Sequence, residues 1–276
     1  VGELGPTLCQ AYVTWRSAQK DKRYKRNDAP TVALSTVKRE LVTLSAALNY
    51  CYRDRKLERS IVIDMPDIPD EVNHRFLTRS ELARLILGAL GWDASGTRHK
   101  FRINRYVARF IILGYYTGTR HDAILKLGWM PSTYGGWIDL ENGLLFRRPH
   151  NAIETAKRRT TCVIPDRLMA HLRRWKRLTA RFPIERDGIP ITGQLKRSWH
   201  GAVALAGMDD EVTPHVLRHT CITHMLQRGE STFDVSGYVG ASEAIIRKHY
   251  GHHELQHQRK VANRAFSRQP SPMLAP

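Results

Sequence analysis

Residues Thr213–His253 read TPHVLRHTCITHMLQRGESTFDVSGYVGASEAIIRKHYGHH. His215 and Arg218 stand three apart, and Tyr250 follows about thirty residues later at a basic, His-rich helix end. An imidazole, a guanidinium and a phenol suit attack on a phosphate diester. A tyrosine can form a covalent intermediate, and the planar fork of an arginine matches phosphate oxygens. The spacing predicts at least two helices here. Each residue also has a plainer role: Tyr250 as a packing residue, Arg218 as an ion-pair partner.

Working outward, residues 166–182 and 194–206 have helical spacing. Before them lies a β-prone region. Gly136 to Leu140, Asn142-Gly143 and Leu144 to Arg147 carry an Asn-Gly hairpin signal, and Thr160 to Ile164 give a third run that Pro165 ends. Lys157 lies in the basic turn before that third run, with Arg158 and Arg159 beside it. Phe101 to Leu127 is the most apolar segment, and Gly118 divides it into two helices with Arg120 near the second start. A cation at a helix N-terminus opposes the helix dipole, so anion binding is a reason for its placement. An ion-pair role for Arg120 has one acidic candidate nearby, Asp122, two positions away and off helical register.

The Thr78-Arg79-Ser80-Glu81 pattern predicts a capped helix that runs on through Leu82, Leu85, Ile86 and Leu90 to a stop at Gly91. Asp64 to His74, DMPDIPDEVNH, loses periodicity and gains Pro66 and Pro69, as an interdomain linker does; the boundary falls near residue 72. Residues 1 to about 63 read as helical, with Leu34, Val37, Leu41, Leu44, Leu48 and Cys51 forming one stripe. Basic runs flank that stripe, Lys20 to Arg26 before it and Arg53 to Arg59 after it. They read either as solvated helix ends or as phosphate contacts. The last residues, SRQPSPMLAP, read as an untethered tail.

Lys and Arg number 44 against 26 Asp and Glu, a formal net charge of +18, which points to a polyanionic partner such as nucleic acid. Solubility or a peripheral membrane role also fits such a balance. The length and a 42% hydrophobic content allow one or two folded domains. Cys9, Cys51, Cys162 and Cys221 are far apart, without the close pairs of a zinc site, and a reducing cytoplasm fits them best. No apolar run approaches the roughly 18 residues of a membrane span. The chain opens on Val1, as a fragment or processed product would. His215 and His219, four apart, and the cluster His249, His252 and His253 raise a metal-dependent hydrolase as a second reading. No Glu or Asp within HVLRHTCITH stands as base or third ligand.

These segments together resemble a tyrosine recombinase of the lambda-integrase type. TGTRHDAILKLGW (117–129) resembles the first arginine box, HVLRHTCITHML (215–226) the His-x-x-Arg box, and IIRKHYGHH (245–253) the segment that bears the nucleophilic tyrosine. The resemblance covers residues 73 to 255, and the N-terminal part matches in position, size and charge. It implies a mainly α protein with a small antiparallel sheet: a helical core-binding domain over 1–72 and an α+β catalytic domain over 73–276. It makes Tyr250 the nucleophile, Arg120 and Arg218 the clamp on the scissile phosphate, His215 the base or hydrogen-bonding partner, and Lys157 the acid for the departing 5′ oxygen.

The implied activity is site-specific strand exchange on double-stranded DNA held between the two domains. A 3′-phosphotyrosine intermediate, four protomers at synapsis, a possible accessory DNA-bending protein and a cytoplasmic, nucleoid-associated setting in a prokaryote or phage go with it. No metal or nucleotide cofactor is needed, because the phosphotyrosyl bond keeps the energy of the cleaved diester. At two positions the sequence departs from the pattern. Ala241 stands where the family usually has His or Trp, and Ala123 where an acidic residue is common. His253, one turn beyond Tyr250 on a continuing helix, is the expected compensation. Two further classes are a type IB topoisomerase and a catalytically impaired DNA-binding remnant.

Overall fold

A computed structural model describes residues 4–22, 29–68, 75–152, 159–179, 181–191 and 195–250. The chain divides into two compact units, Val1–Val72 and Asn73–Pro276.

The first unit is a helix pair. Helix α1, Pro6–Ala18, starts with a proline in its first turn, where the missing N–H costs nothing. Helix α2 is Leu34–Arg53. Cys9 and Val13 of α1 share a core with Val37, Leu41 and Leu48 of α2, together with Val32 and Ile63. Leu34 and Leu44 of the expected stripe remain exposed: with a single helix as its main partner, α2 buries only the middle of that face. Across the pair Arg16 donates two bonds to Glu40, of 2.9 and 3.0 Å, and Tyr12 adds a third of 2.8 Å. The basic residues 23–26 and the linker residues 69–74 lie outside the described residues.

In the second unit α3, Arg79–Ala89, begins with the expected capping box: Thr78 Oγ1 accepts from the Glu81 N–H while Glu81 accepts from the Thr78 N–H. A 3₁₀ turn, Lys100–Arg102, leads into α4, Arg105–Thr117. Helix α4 is the centre of the unit, with Val107, Phe110, Ile111 and Leu113 wholly buried. After Gly118 comes the short α5, His121–Leu125. Strands β1 (Trp137–Asp139), β2 (Leu144–Phe146) and β3 (Cys162–Val163) form an antiparallel sheet in that order. Ile138 pairs with Leu145 and Leu145 with Cys162 on its buried side. At the Asn-Gly turn, the Asp139 carboxylate accepts from the Glu141 and Asn142 N–H groups and from the Asn142 amide.

Helix α6, Asp166–Lys176, puts Leu168, Leu172 and Trp175 inward. A second hairpin follows, β4 (Glu185–Arg186) and β5 (Ile189–Pro190), turning at Asp187 and Gly188, both with positive φ. Helix α7, Lys196–Leu205, buries Trp199, whose indole N–H donates to the Val212 carbonyl at 2.6 Å. The Thr213–His253 region holds three helices in its described part: α8 (Val216–Arg228), α9 (Thr232–Val239) and α10 (Glu243–Tyr250). Cys221, Val235, Val239, Ala241, Ile246 and Tyr250 belong to a second core that joins them. The C-terminal segment 251–276 lies outside the described residues. All four cysteines are free thiols.

Candidate active site

The site forms where the end of α4, the start of α8 and the α9–α10 corner meet. Gly118 ends α4 at φ +59, a left-handed conformation that a side chain disfavours. A Cβ there would also come within 2.9 Å of the Val239 side chain. This tight turn sets Arg120 as the N-cap residue of α5. Arg147, almost fully buried just after β2, ties the turn to the sheet. It donates to the Thr117 carbonyl at 2.8 Å, the Thr119 hydroxyl at 2.9 Å and the Thr160 carbonyl at 2.7 Å.

Arg218, in the first turn of α8, is buried and spans the site with its fork. One terminal nitrogen donates to the Gly118 carbonyl at 2.6 Å and to the Val239 carbonyl at 2.7 Å; the other reaches the Gly240 carbonyl at 3.4 Å. Gly240 closes α9 in the left-handed region at φ +66, which turns its carbonyl toward both arginines. Half-buried Arg120 donates to that same carbonyl at 3.5 Å. Burial, then the charges of Arg120 and Arg147, bring the Arg218 pKa down to about 10. Burial first, then Arg147 and Arg159, lowers that of Arg120. At neutral pH Arg218 remains a cation, and its hydrogen bonds among the described residues go to carbonyls alone. Asp122, the acid next in sequence, instead accepts from the His121 ring at 2.9 Å and is 91% exposed.

Tyr250 reaches this corner from α10. It shares a buried helix face with Ile246 one turn earlier. Glu243 steadies the helix by accepting from Thr232 of α9 at 2.8 Å and from Arg247 at 2.8 and 3.0 Å. Burial pushes the Tyr250 phenol up to about 12, with Cys221 adding to the rise and the Arg218 charge opposing it. Its hydroxyl meets Nδ1 of His219 at 2.5 Å. The His219 pKa falls to about 4 through burial, then through His215, Arg218 and His249. The ring is therefore neutral at pH 7, and in the tautomer protonated at Nε2 its Nδ1 accepts the phenol hydrogen bond.

His215 sits at the exposed mouth of the site, where the protein packed around its ring, then Arg218 and Arg120, lowers its pKa. Its ring stands edge-on to that of His219, 4.7 Å between centroids. The structure thus brings Arg120, Arg218, His215 and Tyr250 to one corner. Lys157, Arg158 and His253 lie outside the described residues. Ala241 is buried in the second core, and Ala123 is half-buried in α5. Among the described residues no group of three or more His, Cys, Asp or Glu could hold a metal ion.

Two contributors lie beyond the predicted set. His219 was visible in the sequence only as a metal-binding mate of His215, although its place next to Arg218 puts it on the same helix end. Arg147 has no signal in spacing, because its partners Thr117, Thr119 and Thr160 come from two distant segments.

A mostly helical unit with a three-stranded sheet, two arginines and a tyrosine at one corner has the architecture of a tyrosine recombinase catalytic domain. The chain belongs to the phage integrase family, whose model matches residues 103–257, more than half of its length. It is 24% identical over 160 residues to the tyrosine recombinase XerC of Xanthomonas axonopodis pv. citri (strain 306), a match covering 56% of this chain and 49% of that protein. The chain thus spans about half the length of that curated relative. Among solved structures, the XerH site-specific recombinase bound to difH substrate in a pre-cleavage complex superposes with a TM-score of 0.59. Its identity is 15%, over 95% of this chain and 71% of the other. The Tn1549 transposon integrase in complex with circular intermediate DNA gives 0.58 and 15%, over 92% and 84%. Lambda integrase bound to DNA gives 0.52 and 19%, over 76% and 71%. Likeness at these identities is likeness of fold.

Among the described residues no helix is long and apolar enough to cross a membrane.

Proposed function

We propose that the protein is a site-specific DNA recombinase that cleaves and rejoins duplex DNA through Tyr250. The observation that carries this reading is a buried, cationic Arg218 held by neutral carbonyls, beside Arg120 and a buried phenol. A guanidinium held this way, with Arg120 beside it, presents donors to an incoming anion without rearranging, and preorganised donors of this kind supply more of the rate enhancement in many active sites than any other single effect. A phosphodiester supplies that anion, and its two non-bridging oxygens match the arginine fork. Tyr250 oxygen attacks phosphorus, the bond to the 5′ oxygen breaks, and a 3′-phosphotyrosine and a free 5′ hydroxyl result. A partner strand's 5′ hydroxyl reverses the step.

In this reading Arg120 and Arg218 stabilise the charge on the five-coordinate phosphorus, and His215 at the mouth is a hydrogen-bonding partner that donates to the same phosphate. Lys157 protonates the departing 5′ oxygen, with Arg158 and Arg159 nearby to lower its pKa. The Val1–Val72 unit serves as a core-binding domain whose basic runs meet DNA phosphates. Strand exchange between two sites calls for four protomers on DNA, and an accessory bending protein fits the same scheme. The relatives named above support the DNA partner, since the Tn1549 and lambda integrases are described in complex with DNA and the XerH recombinase with its difH substrate.

The test is covalent trapping. Protein mixed with fragmented DNA from its own source and quenched in detergent is expected to give adducts at a recurring sequence, absent with Tyr250→Phe. DNA binding without any adduct would favour the impaired DNA-binding reading, which Ala241 supports by removing a ring donor; supercoil relaxation without recombinants would favour a topoisomerase. Lys157 has its own assay. Lys157→Ala should cleave slowly on ordinary DNA and regain most of its rate on DNA with sulfur at the 5′ bridging position, because a thiolate departs without a proton. Failure of that substrate to restore cleavage would move the acid to a neighbour.

A further inference from the structure

A phenol that attacks phosphorus must lose its proton, and in this site the group in contact with that proton is His219. We infer that His219 is the proton acceptor for Tyr250 during strand cleavage and the proton donor to it during rejoining. This rests on the strand-cleavage reading above.

The geometry carries the assignment. His219 projects from α8 and Tyr250 from α10, and the phenol oxygen lies 2.5 Å from Nδ1 with the ring centroids 5.5 Å apart. A phenol oxygen within hydrogen-bond reach of an imidazole nitrogen is the arrangement a general base requires. His215 makes no hydrogen bond or ring contact with Tyr250 among the described residues and stands edge-on to His219. Ala241 cannot serve, because its side chain is a methyl group. The acceptor therefore comes from the residue after Arg218.

The charges around the ring keep it in the accepting form. His215 and Arg218 face it from α8, and His249 and Tyr250 from α10; Arg218, His215 and His249 all resist a proton on His219. With the phenol high and the imidazole low, transfer ahead of attack is strongly uphill. The proton therefore moves as the phosphorus–oxygen bond forms and the tyrosine oxygen loses its basicity. The negative charge of the DNA phosphate then raises the affinity of His219 for that proton. The balance is complete: the Tyr250 O–H bond breaks toward His219 Nδ1, the oxygen bonds phosphorus, and the 5′ oxygen leaves with a proton from the separate acid. In rejoining, His219 returns its proton to the departing tyrosine oxygen.

The test uses single-turnover adduct formation on the duplex recovered by trapping, for the parent, His219→Gln, His219→Ala and Tyr250→Phe, across a range of pH. Glutamine keeps an acceptor oxygen but cannot take a proton. His219→Gln is expected to bind DNA as the parent does, to form adduct about 10²- to 10³-fold more slowly near neutrality, and to recover as pH rises and hydroxide removes the phenol proton. An unchanged rate for His219→Gln, or a loss of equal size at every pH, would overturn the inference while leaving strand cleavage intact. No adduct from the parent would overturn the strand-cleavage reading itself. A measurement on the parent alone guards against a variant that does not fold: nitrogen-15 spectra should show His219 at pH 7 as the neutral ring protonated at Nε2. A ring protonated at Nδ1, or at both nitrogens, would contradict the assignment.

Discussion

Arg218 keeps a full charge in the interior with three carbonyls and no carboxylate among its described partners. Its pKa of about 10 against an ordinary 12.5 means that its charged form is less favourable in the fold than in the unfolded chain, by about 3 kcal/mol at neutral pH. An anion that binds beside it offsets that cost, so the fold holds the guanidinium ready at the expense of its own stability. Arg218→Lys tests this geometry. An ammonium on a flexible stem cannot bridge Gly118 and Val239 and still offer a planar pair of donors. Single-turnover adduct formation should fall about 10²- to 10³-fold, while circular dichroism shows the same helix content. A rate within about threefold of the parent would mean that the guanidinium fork is not what holds the phosphate.

At the scale of elements, the entry to the second unit is set by α3 and its cap. Glu81 accepts from Arg75 at 2.8 Å and from Thr78. The Arg75 bond first, and then the Thr78 bonds, hold its pKa at about 2, below the ordinary 4.5, against an opposing effect of burial. Since the folded value is the lower one, the contribution is complete above about pH 4.5 and is lost as pH falls toward 2. Urea unfolding of the parent and of Glu81→Gln should differ by about 2 kcal/mol at pH 7 and by less than about half of that at pH 3. A difference independent of pH would show that the carboxylate charge is not the stabilising feature.

This capped helix was legible because its signal is local: Thr78 and Glu81 sit in one turn. The break at Gly118 was legible for the same reason, as was the sheet around Asn142-Gly143. The hairpin β4–β5 escaped notice although Asp187-Gly188 is a turn signal, because its strands are only two residues each and lack alternation. Part of the α2 stripe was over-read, since periodicity identifies a face but not how much of it a partner covers. The site is legible to the extent that its chemistry lies in contiguous boxes. The contact of His219 with Tyr250 joins residues 31 apart, and the Arg147 bonds join three segments; such contacts exist only after folding.

Over the whole molecule, the +18 charge falls mostly on the second unit, since Val1–Val72 carries 12 Lys and Arg against 10 Asp and Glu, and its long-range field favours encounter with a polyanion before any specific contact forms. The proposed nucleophile and phosphate clamp lie at one corner of the second unit, where the α4–α5 turn, the first turn of α8 and the end of α10 converge. The family match covers this region, and the proposed activity depends on one atom in it, the Tyr250 oxygen. The most direct measurement is therefore to digest the trapped protein–DNA adduct with nuclease and protease and map the modified peptide by mass spectrometry. The account predicts a nucleotide joined through its 3′ phosphate to Tyr250. A nucleotide on any other residue, or one joined through a 5′ phosphate, would contradict it.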